Sequence, residues 1–231
     1  MINCLLCKAE MVVLEKNHPL AKLILWCDGC QYGCSTYPFD TNVYDEEYCS
    51  KYTKYDNTQL GVDLNKFRLE FVQHFIKRVN SPKLKVLDFG CAVGAFCKIV
   101  AEHFDSYGCE VNSFYEKVWK EDVSGAKYSL SVPQEQFDVV TFFDSLEHVD
   151  DIKGLLEKLN VSHVVISIPI VPKEKLPQSR HLRPQEHLHY FTTSSLCKFF
   201  SQSGYELGGT SSRESELGRE DIFTFYFRKT V

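Results

Sequence analysis

The chain has 231 residues, 44% hydrophobic and 25% charged, which suits one sizeable α/β domain with a small appendage. No apolar run approaches the roughly 20 residues that a bilayer demands, and Met1-Ile2-Asn3-Cys4 lacks a basic start leading into an apolar core, so neither a membrane span nor a signal peptide is expected and the protein is read as cytoplasmic. A net charge of −5 disfavours broad electrostatic attachment to nucleic acid or anionic membrane, leaving only a local basic groove open.

Four of the ten cysteines form two C-x-x-C pairs, Cys4-Leu5-Leu6-Cys7 and Cys27-Asp28-Gly29-Cys30, with nineteen residues between them. Such knuckles can bring four thiolates to the corners of a tetrahedron, which Zn²⁺ accepts. Short apolar segments at 11–14 and 23–26 read as strands, so residues 1–35 are predicted to be a zinc ribbon held by Cys4, Cys7, Cys27 and Cys30. Its apolar content is too small to fold without the ion. Cys34 stands close enough to replace one ligand, and two redox pairs are the alternative. A closed four-thiolate site would be structural, since catalysis needs an open coordination position. Residues 36–62 follow as a linker or a lid. The stretch around them is dense in tyrosine (Tyr32, Tyr37, Tyr44, Tyr48, Tyr52 and Tyr55), whose rings suit packing and whose hydroxyls suit a wet surface.

From residue 63 the pattern becomes that of an α/β domain running to residue 231. Leu64, Phe67, Phe71, Val72, Phe75, Ile76 and Val79 share one helical face, with Asp63 placed to cap the start and Asn80-Ser81-Pro82 to end it. The apolar run Val86-Leu87-Asp88-Phe89 then turns through Gly90-Cys91-Ala92-Val93-Gly94 into a second helical pattern at Phe96, Ile99 and Val100. The glycines permit positive φ and close approach of a ligand to the backbone, and the helix start offers unpaired N–H groups. The spacing D-x-G-x-x-x-G is neither the dinucleotide fingerprint nor a P-loop, and no Lys-Ser/Thr pair follows for phosphate. An ordinary strand-to-helix turn is the plain alternative.

This motif resembles the first motif of the class I S-adenosylmethionine-dependent methyltransferases. The resemblance implies that Asp88, Phe89, Gly90, Cys91 and Gly94 hold the cofactor, the acidic residue lying near its amino-acid end. Tyrosine-rich segments also follow the ribbon in members that carry one. Ser106 to Val111 reads as the next strand, ending in Glu110 twenty residues past Gly90, with Val111 beside it. A carboxylate there can accept hydrogen bonds from both ribose hydroxyls, as the family uses it; otherwise it caps a helix over 112–121. A weak strand at 126–130 offers only Ser129 or Ser131 toward adenine. Phe137 to Phe143 is a buried strand followed by Asp144-Ser145-Leu146-Glu147-His148 and a helix through Ile152, Leu155, Leu156 and Leu159, capped by Asp150 or Asp151. This is similar to the family's fourth motif, which implies that Asp144 and Ser145 face the cofactor and His148 the methyl-transfer site. The signatures of DNA amino- and cytosine-C5-methyltransferases are absent here.

A fifth strand at 163–169 leads into a long loop with Lys173, Lys175, Arg180 and Arg183, then Glu186-His187-Leu188-His189 and a helix capped by Thr192 and stopped at Gly204. His181, His187 and His189 cluster there. His187 and His189 are, with His148, the candidates for a general base, although a histidine can equally well hydrogen-bond the backbone. Strands at 205–210 and 222–227 close the chain. The expected fold is a seven-stranded Rossmann-like sheet, mostly parallel with the last strand antiparallel at an edge, preceded by the ribbon. The expected activity is methyl transfer from S-adenosylmethionine to a small molecule such as a sugar or nucleotide-linked metabolite. Nucleic-acid methylation guided by the ribbon and the basic loop is a rival, as is a degenerate fold serving as a binding module.

Overall fold

The computed structural model describes residues 2–38, 45–76 and 83–230. Tyr44 and the expected helix end at 79–82 lie outside them.

Each cysteine knuckle is followed by a residue in the left-handed region, Lys8 at φ 63° and Gln31 at φ 54°, which turns the chain back on itself. Between and after the knuckles run three short strands, β1 (Val12–Val13), β2 (Ile24–Cys27) and β3 (Tyr32–Ser35), paired antiparallel in that order. Two helices follow. α1 (Glu46–Asp56) is capped by Asp45, and α2 (Gln59–Phe75) by Thr58, whose hydroxyl accepts the Gly61 N–H at 3.1 Å. The cap is therefore Thr58 and not Asp63, which instead accepts the Gln59 amide four residues away. A threonine just before an uncapped turn wins over an aspartate already inside it.

The rest of the chain alternates: β4 (Lys85–Phe89), α3 (Ala95–Ala101), β5 (Asp105–Cys109), α4 (Glu116–Lys120), β6 (Lys127–Ser129), β7 (Val139–Phe143), α5 (Ile152–Leu159), β8 (His163–Pro169), β9 (His189–Phe191), α6 (Thr193–Gln202), β10 (Tyr205–Ser211), α7 (Arg213–Glu216) and β11 (Ile222–Lys229). Seven strands form one sheet in the order β10-β11-β8-β7-β4-β5-β6. Every pair from β8 to β6 is parallel, and β11 runs antiparallel to both its neighbours. The last strand is thus antiparallel as expected, but it is inserted between β8 and β10; the edge is β10.

Strand alternation sorts the core. Leu87, Val140, Phe142, Val164, Ile166 and Phe225 face one side, packing with Leu156, Leu159, Leu196, Phe199 and the ribbon residues Cys4, Leu6 and Tyr32. Val86, Val139, Val165 and Tyr226 face the other, with Phe71 and Val72 of α2 and Phe96 and Val100 of α3. β9 does not join this sheet. It pairs antiparallel with β3, Tyr32 opposite Phe191 and Cys34 opposite His189, so the ribbon's sheet is completed from the second half of the chain. Among the described residues no helix is long and apolar enough to cross a membrane.

Candidate functional site

The turn after β4 has the shape its glycines suggested. Gly90 and Gly94 sit at φ 80° and 76°, and Ala92 between them at φ 47°. A Cβ on Gly90 would stand 2.6 Å from Ser145 Cβ, and one on Gly94 would enter the Tyr128 ring. Tyr128 stacks on Trp119, whose indole N–H donates to the Ala92 carbonyl at 2.9 Å. Glu110, at the end of β5, accepts the Asn112 N–H at 3.0 Å and the Ala92 N–H at 3.4 Å, so its carboxylate tethers the turn. Burial raises its pKa. Asn112, not Glu110, caps the short helical segment that follows. Val111 beside it is 68% exposed.

Other residues of the turn point inward. Asp88 is buried and accepts the Thr141 hydroxyl at 2.6 Å; burial pushes its carboxyl up to about 6. The Cys91 side chain is buried in the strand–helix interface, leaving its backbone at the turn. Ser145 donates its hydroxyl to the Phe89 carbonyl at 2.6 Å and backs the Gly90 turn.

At the end of β7, Asp144 takes a left-handed backbone at φ 57° and anchors a four-charge network. Arg219 grips it with two hydrogen bonds at 2.7 and 2.8 Å, and Arg68 adds a third at 3.0 Å. Both guanidiniums also bind Glu214, which is fully buried and accepts the Ser167 hydroxyl at 2.6 Å. Burial raises the Asp144 pKa, but Arg219 and Arg68 outweigh it and hold the carboxyl well below the usual range. Sequence reasoning missed Arg68, Glu214 and Arg219. Arg68 carried a signal, because it sits four residues after Leu64 on the apolar stripe of α2, where a charge needs a partner.

The three candidate histidines separate into two kinds. His189 is tied at both nitrogens: Nε2 donates to the Val149 carbonyl at 2.9 Å, so Nδ1 accepts the Tyr32 hydroxyl at 2.6 Å. No lone pair is left for a substrate proton, and this corrects the expectation of His189 as a base. His148 donates Nδ1–H to the Glu186 carbonyl at 2.8 Å, which leaves Nε2 as the lone-pair nitrogen. The His187 ring stands 5.0 Å away at 85° to it. Burial lowers the pKa of both imidazoles, His187 the more strongly. Glu147 is beside them, 2% exposed, and burial pushes its carboxyl up to about 8.

Helix α1 lies across this ground. Cys49 packs in a small cluster with Val93 and Tyr115 over the glycine turn, Tyr52 lies against the Arg183 guanidinium, and Asp56 is near Arg68 and Arg219. In the ribbon, the sulfurs of Cys4, Cys7, Cys27 and Cys30 lie within 4.8 Å of one another, Cys7 and Cys27 at 3.6 Å. A tetrahedron of Zn–S bonds has edges of about 3.8 Å, so the set fits the ion. Cys34 is not part of it; its thiol faces Met11 Sδ at 3.9 Å.

Residues 64–208 match the family model described as a methyltransferase domain. No curated protein matches the chain. Among solved structures, the fold is similar to magnesium protoporphyrin IX methyltransferase from Synechocystis PCC 6803 with bound S-adenosylhomocysteine, at 14% identity and a TM-score of 0.61 over 82% of this chain and 97% of that one. It is also similar to 1,6-didemethyltoxoflavin-N1-methyltransferase from Burkholderia thailandensis, at 13% identity and TM-score 0.58 over 90% and 99%. The plantazolicin methyltransferase gives 14% identity and TM-score 0.60 over 82% and 92%.

Proposed function

Since the chain belongs to the methyltransferase-domain family, we propose that it is an S-adenosylmethionine-dependent methyltransferase acting on a small molecule, with a structural zinc ion in its ribbon. The observation that carries this reading is the turn after β4, where two glycines at positive φ stand where side chains would collide. Backbone N–H groups at the start of α3 and the Glu110 carboxylate are suited to the amino-acid and ribose parts of the cofactor, and exposed Val111 to its adenine. When bound, S-adenosylmethionine supplies a methyl group activated by a sulfonium.

The chain's own residues then have three tasks. Asp88 and the Asp144–Arg68–Arg219–Glu214 network fix the ends of β4 and β7, so the strand ends that would carry the pocket are held in place. Helix α1 acts as a lid that keeps water from the pocket, consistent with its span from Val93 to Arg183. His148 and His187, imidazoles whose pKa burial lowers, are the groups suited to hold the acceptor or take its proton. The ribbon's pairing with β9 supports a small acceptor over a nucleic acid, because it uses the ribbon as scaffold.

Isothermal calorimetry tests the reading. S-adenosylmethionine should bind one per chain, and Glu110→Ala should weaken it by about 1–3 kcal/mol, a factor of roughly 5 to 150, for a lost hydrogen-bonding carboxylate. Absence of binding at millimolar concentration would overturn the proposal.

A further inference from the structure

We propose that Glu147, His148 and His187 form a binding site for a divalent transition-metal ion, distinct from the cysteine set, and that this ion holds a hydroxyl oxygen of the acceptor. The second half rests on the methyltransferase reading; the first stands on the residues alone.

One ligand atom from each residue lies within 4.8 Å of the other two. Three nitrogen or oxygen ligands around one ion stand roughly 3 to 4 Å apart, so small side-chain rotations close the site. Glu147 is 2% exposed, and among the described residues its Oε2 has no hydrogen-bond partner. A buried carboxylate oxygen is ordinarily satisfied, and leaving one bare costs free energy that a cation would recover. The other oxygen, Oε1, stands 4.0 Å from His148 Nε2, beyond hydrogen-bond range.

The partners of the two imidazoles point the same way. His148 donates Nδ1–H to the Glu186 carbonyl at 2.8 Å, the arrangement that fixes a ligating imidazole with its Nε2 lone pair inward. The His187 ring is nearly perpendicular to it and not stacked on it, an arrangement in which two imidazoles can converge on one point. The backbone reinforces the placement, since the Leu188 N–H donates to the Glu147 carbonyl at 2.8 Å and thereby locks the His187 segment against the end of β7.

Two imidazoles and one carboxylate on one side of an ion leave coordination positions open on the other. The donor set suits borderline ions from Mn²⁺ to Zn²⁺, whereas the closed thiolate set in the ribbon suits a structural zinc. Ser145, two residues before Glu147, backs Gly90, so the chain segment that carries Glu147 starts beside the turn. The ion would lower the pKa of a hydroxyl placed on its open side. The O–H bond breaks with its proton passing to a water molecule held at the ion, the electron pair left on oxygen forms the O–CH3 bond as the S–CH3 bond breaks, and S-adenosylhomocysteine leaves with that bonding pair on sulfur. The acceptor is then an alcohol or phenol, and the histidines act through the ion without taking the proton themselves.

The test uses the full-length chain with zinc retained in the ribbon. Mn²⁺ is titrated while the electron paramagnetic resonance of the free ion is followed, and Co²⁺ is titrated by calorimetry. One further ion per chain should bind, and Glu147→Gln and His187→Gln should each weaken it by about tenfold or more. S-adenosylmethionine affinity and thermal midpoint serve as controls for folding, and His148→Gln replaces either variant that unfolds. No saturable binding of either ion, or binding unchanged in the variants, overturns the site. If S-adenosylmethionine binds and the ions do not, the metal proposal alone falls. If the ions bind and S-adenosylmethionine does not, the methyltransferase reading falls and takes the acceptor half with it.

Discussion

Gly90→Ala tests the glycine turn with the smallest possible perturbation. The added methyl incurs two costs that the structure separates. At φ 80° an alanine is in the left-handed region, which costs roughly 1–2 kcal/mol. Its Cβ also stands 2.6 Å from Ser145 Cβ, far inside the ordinary 3.5–4.0 Å carbon contact. Ser145 cannot step aside freely, because it is buried and its hydroxyl is bound to the Phe89 carbonyl at 2.6 Å. Overpacking of this kind costs about 1–3 kcal/mol. Together the expected loss is about 3 kcal/mol, which for a chain of this length lowers the thermal midpoint by about 6–12 °C. S-adenosylmethionine affinity should fall at least about tenfold, since the displaced backbone is the proposed cradle. Ser145→Gly removes the opposing carbon and costs about 1 kcal/mol alone for the lost hydrogen bond. Chemical denaturation of the double variant should recover about 1–2 kcal/mol relative to the sum of the singles, the strain at φ remaining. Additivity of the two changes would refute the collision, and unchanged cofactor affinity in Gly90→Ala would refute the cradle.

Cys4→Ser should release near-stoichiometric zinc, measured by elemental analysis, and lower the thermal midpoint; a wild-type chain without zinc would remove the ribbon assignment. Asp88→Asn should flatten the pH dependence of stability between about 4 and 6. Burial raises its folded pKa to about 6, so the native state binds its proton more tightly than the unfolded chain, and stability contributed by the protonated form is lost as pH rises through 6. Denaturation midpoints measured from pH 4 to 8 check this, and an unchanged slope in Asp88→Asn contradicts it.

The strands were legible because their apolar runs are buried on both faces, as Val139 to Phe143 and Val164 to Ile166 are. The glycine turn and the Asp144–His148 segment were legible because backbone geometry and strand ends demand particular residue types. Position within the sheet was not. Chain order alone does not say that β11 enters beside β8 and leaves β10 at the edge, since both arrangements bury Phe225 and Phe227. The charge network under Asp144 was only half visible. Arg68 broke the apolar stripe of α2, but its partner Glu214 lies 146 residues away, between β10 and β11. The burial of Glu147 was not legible, because nothing in the sequence shows that the Leu188 segment returns to bond it. The fate of His189 likewise depended on a partner 157 residues away, the Tyr32 hydroxyl.

That last contact changes what the ribbon is for. β3 pairs with β9, the Ser35 N–H donates to the Leu188 carbonyl at 2.9 Å, and the Ser35 hydroxyl donates to the Pro184 carbonyl at 2.7 Å. Leu188 in turn donates its N–H to Glu147, so one residue is bonded on one side to the ribbon and on the other to the end of β7. His187 is the residue before it. Four thiolates able to hold an ion therefore brace, through one strand and one peptide, the imidazole proposed to face the acceptor. By contrast, Gly90 donates its N–H to the Cys109 carbonyl of β5, Gly94 accepts the Lys98 N–H of α3, and Glu110 bonds Ala92, Asn112 and Ser129, with no ribbon residue among those contacts. Loss of the thiolate ion should thus disturb the acceptor side before the cofactor side, which makes the ribbon a prop for one half of the pocket.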